Sequence, residues 1–228
     1  MMVRPPNLQR MLAIDTSSRR ACVGLFDEKG GLSYRTSEEE ASLSLFPLIK
    51  RLIKEFDWQL SDINSIAFCQ GPGSMLGIRT AIMGIRTWQG AKLIEGKQIF
   101  SFSSLAIGAE LVRHSYPSEK TFLVITDARR NSWNALKAEG SSMGPVKIIE
   151  NAALEKKTVP LFTFNEFPTW TRTQAKINLL SYRPESVLSS PRFPQLLEEN
   201  PDANPMDLRS MEFAKWIPAA RTADQIKS

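Results

Sequence analysis

Two stretches of this chain open in the same way. Met11-Leu12-Ala13-Ile14-Asp15 is a short apolar run ending in an acid, followed by the turn-like Thr16-Ser17-Ser18-Arg19-Arg20 and a second apolar run, Ala21 to Phe26. Phe122-Leu123-Val124-Ile125-Thr126-Asp127 is again apolar and again ends in an acid, and Ala128-Arg129-Arg130-Asn131 leads into Ser132 to Ala138. Asp27-Glu28-Lys29-Gly30-Gly31 closes the first hairpin and Glu139-Gly140-Ser141 the second, at nearly the same distance from the acid. A hairpin that recurs within one chain marks a duplicated domain, and duplication restricts the fold more than any single element does. With 228 residues there is room for one complete copy and one reduced copy.

The segments between the hairpins supply the rest of the pattern. Leu32 to Thr36 reads as a third strand. Leu45, Leu48, Ile49, Leu52, Ile53 and Phe56 fall on one face of an amphipathic helix, with Ser44 as N-cap and Pro47 in the first turn. Ile63 to Cys69 reads as a buried strand, Met75 to Leu93 as a second helix, and Gln98 to Phe102 as a further strand. The order β-β-β-α-β-α-β predicts a mixed sheet with helices on its faces. After the second hairpin the pattern decays into short apolar runs, Val146 to Ile149 and Val159 to Phe164. The expected division is a disordered leader over 1–10, an N-terminal domain over 11–106 and a reduced C-terminal domain over 107–228.

Gly71-Pro72-Gly73-Ser74-Met75-Leu76-Gly77-Ile78-Arg79 joins a strand to a helix, and its three glycines admit two readings. A glycine-rich loop at a helix N-terminus can cradle phosphate. This one matches neither GxxxxGK[ST] nor GxGxxG, and the other reading is a tight turn that lets the helix lie close against something. Within the helix, Ile78, Ile82, Ile85 and Trp88 form an apolar stripe, while Gly77, Ala81 and Gly84 form a line of small residues. Such a line lets another helix backbone approach closely. Gly84 in mid-helix costs about 1 kcal/mol relative to Ala, so a contact that needs it is expected.

At 42% apolar and 23% charged residues, the composition is that of a well-cored globule. The formal charge of +5 permits contact with nucleic acid, yet the basic residues are dispersed as pairs. Arg79, Arg86 and Lys92 make the long helix too charged to span a membrane. Met1 to Arg10 lacks the apolar core of a signal peptide. Cys22 and Cys69 lack metal-type spacing and read as reduced, buried thiols of a cytoplasmic protein. The single histidine, His114, falls in a polar connector, and no base or metal-ligand set accompanies it.

Leu12-Ala13-Ile14-Asp15-Thr16-Ser17-Ser18 and the Gly-Pro-Gly-Ser-x-x-Gly-Ile-Arg loop resemble the TsaB (YeaZ) family. So do Phe102 to Leu105, Asp127 to Arg129, Pro205 to Arg209 and Trp216-Ile217-Pro218. The resemblance covers about Met11 to Pro218 and is stronger in the first half. It departs at Met75-Leu76, at Ala41-Ser42-Leu43 and at Trp133-Asn134, which marks a divergent member. It implies an α/β actin-like/Hsp70-like ATPase fold, a duplicated ribonuclease H-like arrangement of two domains with mixed sheets, the second reduced.

The same resemblance implies a noncatalytic subunit in synthesis of threonylcarbamoyladenosine beside the tRNA anticodon. Its expected partners are a TsaD-like catalytic subunit and a TsaE-like ATPase, with tRNA reached through the complex and with a homodimer possible in the free protein. The expected interface is Leu45, Leu48, Leu52, Gly77, Ala81, Gly84 and Trp88. No catalytic residue, metal or cofactor is expected in the isolated chain, with ATP or ADP and Mg²⁺ conceivable at the complex interface. Asp15, Thr16 and Ser17 would be a vestigial phosphate-binding turn. In the second turn, where the actin-like ATPase family has Asp-x-Gly, Asp127-Ala128-Arg129 puts Arg129 in place of the glycine that close phosphate approach requires. The alternative from another class is a stand-alone actin-fold enzyme, an ATP-dependent kinase or a peptidase.

Overall fold

Alternation decides how the first sheet is buried. In the computed structural model, which describes residues 8–208, strand β1 (Met11–Asp15) is buried throughout. Leu12 and Ile14 join one apolar cluster, Met11 and Ala13 another, because successive side chains point to opposite faces. A strand covered on both faces reads as a continuous apolar run. Strand β1 pairs antiparallel with β2 (Ala21–Phe26), which pairs antiparallel with β3 (Leu32–Ser37). Helices α1 (Ala41–Glu55) and α2 (Met75–Gly90) are the crossovers. They bring β4 (Ser65–Gly71) parallel to β1 and β5 (Gln98–Ser103) parallel to β4.

Helix α3 (Ser104–Ser115) leads to the second half: β6 (Thr121–Arg129), β7 (Ser132–Glu139), β8 (Ser142–Met143) and β9 (Lys147–Glu150). The short α4 (Asn151–Leu154), β10 (Leu161–Phe164), β11 (Ile177–Leu180), α5 (Pro184–Leu188) and β12 (Glu198–Glu199) follow. The second sheet runs β11-β10-β6-β7-β8, with β9 also on β7, against β12-β5-β4-β1-β2-β3 in the first. In both, an acid-bearing strand has its hairpin partner on one side and a parallel strand on the other. This is the duplicated α/β fold with two mixed sheets that the sequence predicts. The second copy is reduced: its first crossover helix has 4 residues, and residues 165–176 between β10 and β11 contain none.

Several local expectations are corrected. Ser44 is not the N-cap of α1; that position is Glu40, and the Ser44 hydroxyl donates to the carbonyls of Glu39 and Glu40 at 3.2 and 3.1 Å. Pro47 lies inside the helix rather than in its first turn. His114 sits in the last turn of α3, not in a loop. The division drawn after residue 106 falls within that helix. Residues 104–112 are all buried between the two sheets, so α3 lacks the polar face that makes a helix visible in sequence. Gly108 permits this, since a Cβ there would stand 2.5 Å from the Phe164 ring. Residues 1–7 of the expected leader and 209–228 of the expected second domain, including the Trp216-Ile217-Pro218 match, lie outside the described residues.

Candidate functional site

The first turn is a buried polar site. Strand β1 delivers Asp15 to its end, where the side chain is 1% exposed. One carboxylate oxygen accepts from the Ser17 backbone N–H and hydroxyl at 2.9 and 2.7 Å. The other accepts from the Tyr182 hydroxyl at 2.7 Å. Tyr182 arrives just after β11, fully buried, with its ring packed against Phe164 and Phe167. Burial pushes the Asp15 carboxyl above its ordinary value, against the opposing pull of the Ser17 and Tyr182 hydrogen bonds. Burial also pushes the Tyr182 hydroxyl and the nearby Cys69 thiol well up.

The glycine loop closes this turn from the other side. The Ser74 N–H donates to the Ser17 carbonyl at 2.6 Å. A Cβ on Gly73 would stand 2.1 Å from the same oxygen, and one on Gly77 would stand 2.2 Å from the Thr16 carbonyl oxygen. The Ser74 hydroxyl caps α2 by accepting from the Gly77 N–H at 3.2 Å. The glycines therefore serve close approach between two backbones. Thr16 and Ser17 are 1% and 0% exposed, so the turn that the family resemblance marks as a vestigial phosphate site is buried within the protein.

The second turn is open. Arg129, Arg130 and Asn131 all have left-handed backbones, with φ of 61°, 49° and 56°. Non-glycine residues there cost about 1 kcal/mol or more each and persist where neighbours hold them. Asp127 is the holder. One oxygen accepts from the Arg129 N–H at 2.5 Å, the other from the Trp170 and Thr171 N–H groups at 2.8 and 2.6 Å. Partial burial pushes the Asp127 carboxyl up, but these N–H groups outweigh it and leave it below its ordinary value. The Arg129 guanidinium lies 4.2 Å from the centre of the Trp170 ring. A cleft of about 730 Å³ separates this turn and Trp170 from Arg19 and the start of α2. Sequence reasoning places Arg129 here but misses Trp170, which sits in a stretch without strand or helix periodicity.

Helices α1 and α2 pack on each other, and this corrects the expected interface. Leu45, Leu52, Gly77, Ala81 and Gly84 are buried within the chain. Gly77 faces the Thr16 carbonyl, and a Cβ on Gly84 would stand 2.7 Å from the Phe46 ring, so the small-residue line is already filled. Leu48 and Trp88 are half-buried, with Trp88 edge-on to Phe46. The apolar surface of these helices belongs to other residues: Leu43, Phe46, Leu76 and Met83 are 68%, 40%, 58% and 58% exposed. Phe46, Leu76, Met83 and Trp88 line one shallow depression. Among the described residues no group of three or more His, Cys, Asp or Glu could hold a metal, and no helix is long and apolar enough to cross a membrane.

Known proteins resemble this chain in sequence and in fold. The family model described as "TsaD: tRNA N6-adenosine threonylcarbamoyltransferase" matches residues 21–153. The chain is 34% identical over 122 residues to the tRNA threonylcarbamoyladenosine biosynthesis protein TsaB of Buchnera aphidicola subsp. Schizaphis graminum, covering 52% of this chain and 55% of that one. It is 31% identical over 103 residues to the TsaB of Escherichia coli K12, covering 45% of this chain and 37% of that one. The chain thus spans about half the length, or less, of these curated relatives. YeaZ from Pseudomonas aeruginosa superposes with a TM-score of 0.63 at 23% identity, over 87% of this chain and 99% of that one, a likeness of fold.

Proposed function

Because this chain belongs to the TsaD family, among its TsaB/YeaZ members, we propose that it is a noncatalytic partner subunit in threonylcarbamoyl transfer to tRNA adenosine. It pairs with a TsaD-like catalytic subunit and does not itself carry the transfer. The observation that supports this most directly is the filled first turn. Both Asp15 oxygens accept hydrogen bonds, the group is 1% exposed, and the backbone of the glycine loop lies on Thr16 and Ser17. Those residues do not fit a magnesium–nucleotide. Any ATP or ADP and Mg²⁺ used by the complex are held by surfaces that the partner supplies.

The exposed apolar residues of α1 and α2 are the docking face in this reading, since contiguous apolar surface marks interaction sites. The same face serves a second copy of the chain when the partner is absent, and a TsaE-like ATPase joins the assembled pair. The setting is the cytoplasm. Calorimetric titration with a purified TsaD-like subunit tests the reading. The chain should form a complex, Met83→Asp should weaken it at least tenfold, and threonylcarbamoyl transfer should require both proteins. Transfer by the chain alone, or equal affinity of the variant, would refute it.

A further inference from the structure

Trp170 is the most exposed aromatic side chain among the described residues, at 57%. An indole in water gains nothing for the fold, and this one is nevertheless held in place. The Trp170 and Thr171 N–H groups are fastened to Asp127, whose other oxygen fastens Arg129, and the Arg129 guanidinium lies over the indole at 4.2 Å from its centre. Asp127 thus positions both members of a cation–π pair on the wall of the cleft between the two turns. The segments around that cleft carry exposed Arg19, Arg130 and Arg172 besides Arg129. Of the two acids on its wall, Asp127 is engaged by three backbone N–H groups, and the other is Asp207.

We propose that Trp170 and Arg129 form a stacking platform for an unpaired base of RNA, with Arg19, Arg130 and Arg172 drawing in the adjoining phosphates. Every base has a π-face that stacks on an indole regardless of sequence, and a guanidinium adds its own cation–π attraction. The bases of a duplex are stacked on one another and cannot reach such a platform, whereas loop bases can be splayed onto it. Phosphate contact makes the affinity fall as salt rises. This deepens the subunit reading, since it rests on a tRNA substrate for the complex, and it assigns this chain a direct share in holding the RNA.

Fluorescence anisotropy with the full chain tests it, using an RNA stem-loop and a blunt duplex of the same stem as probes. The stem-loop should bind more tightly than the duplex. Trp170→Ala should weaken stem-loop binding roughly 5- to 150-fold, the loss of one stacked base, and leave duplex binding unchanged. Trp170→Phe should keep most of the affinity, and Arg129→Ala, which retains the ring, should also weaken the stem-loop complex. Equal binding of the two probes, or an unchanged Trp170→Ala, overturns the proposal. So does a Trp170→Ala that binds RNA normally but no longer binds the TsaD-like subunit, which would make the ring a protein contact. Met83→Asp separates the two readings. It should break subunit pairing and leave stem-loop binding by the chain alone intact.

Discussion

A tyrosine hydroxyl from the second half of the chain reaches a carboxylate from the first, 167 positions away. Tyr182→Phe would remove the donor to one Asp15 oxygen and leave that oxygen buried without it. The expected cost is about 1–3 kcal/mol, read as a lower midpoint in urea denaturation. Asp15 also sets a sign for the pH dependence. Its folded carboxyl lies above the ordinary value of 3.8, so its contribution to stability is full below that value and is lost as pH rises through the folded one. Asp127 runs the other way. Its folded value is depressed, so its contribution is present above the ordinary range and lost as pH falls through the folded value. Asp15→Asn keeps the two Ser17 hydrogen bonds at its amide oxygen and donates its amide N–H to the Tyr182 hydroxyl oxygen, without a buried charge. Denaturation across a pH series should therefore show that this variant loses less stability than the parent as pH rises above about 4, while the acid limb due to Asp127 remains.

Helix α2 shows why glycines in one element need separate arguments. Gly77 touches the Thr16 carbonyl, whereas at Gly90 a Cβ would meet nothing within 4 Å. Alanine is the better helix former by about 1 kcal/mol at either position. At Gly77 the added carbon presses on backbone that cannot swing aside, and overpacking of about 1–3 kcal/mol outweighs that gain. Thermal melts should show Gly77→Ala destabilised and Gly90→Ala unchanged or slightly stabilised. A Gly77→Ala as stable as the parent would mean that the turn and the helix start are not held together. At this scale β1 to β7, α1 and α2 were readable from apolar periodicity and turn residues, whereas the short β8, β11 and β12 were not. Helix α3 was not, because burial on all sides erases the periodic signal that marks a surface helix.

In the whole molecule the first sheet is covered on one face by α1 and α2, while the apolar cluster on its other face runs on through α3 to the second sheet. The outer flank of the helix pair keeps exposed apolar side chains, and the proposed docking face lies there. Met83 is exposed there, so Met83→Asp should leave folding stability within about 0.5 kcal/mol of the parent while it breaks the complex. The duplication, the two acids at their turns and the crossover order are local properties: each follows from a short apolar run and the turn residues beside it. What meets each acid is not local. Asp15 and Asp127 look alike in sequence, yet one is sealed under Tyr182 and a glycine loop and the other holds an exposed arginine–tryptophan pair. In the same way, α1 and α2 announced an apolar stripe, but their mutual packing decided which residues fill the core and which remain on the surface. Burial and hydrogen-bond partnership depend on contacts between distant parts of the chain, and apolar periodicity carries no record of them.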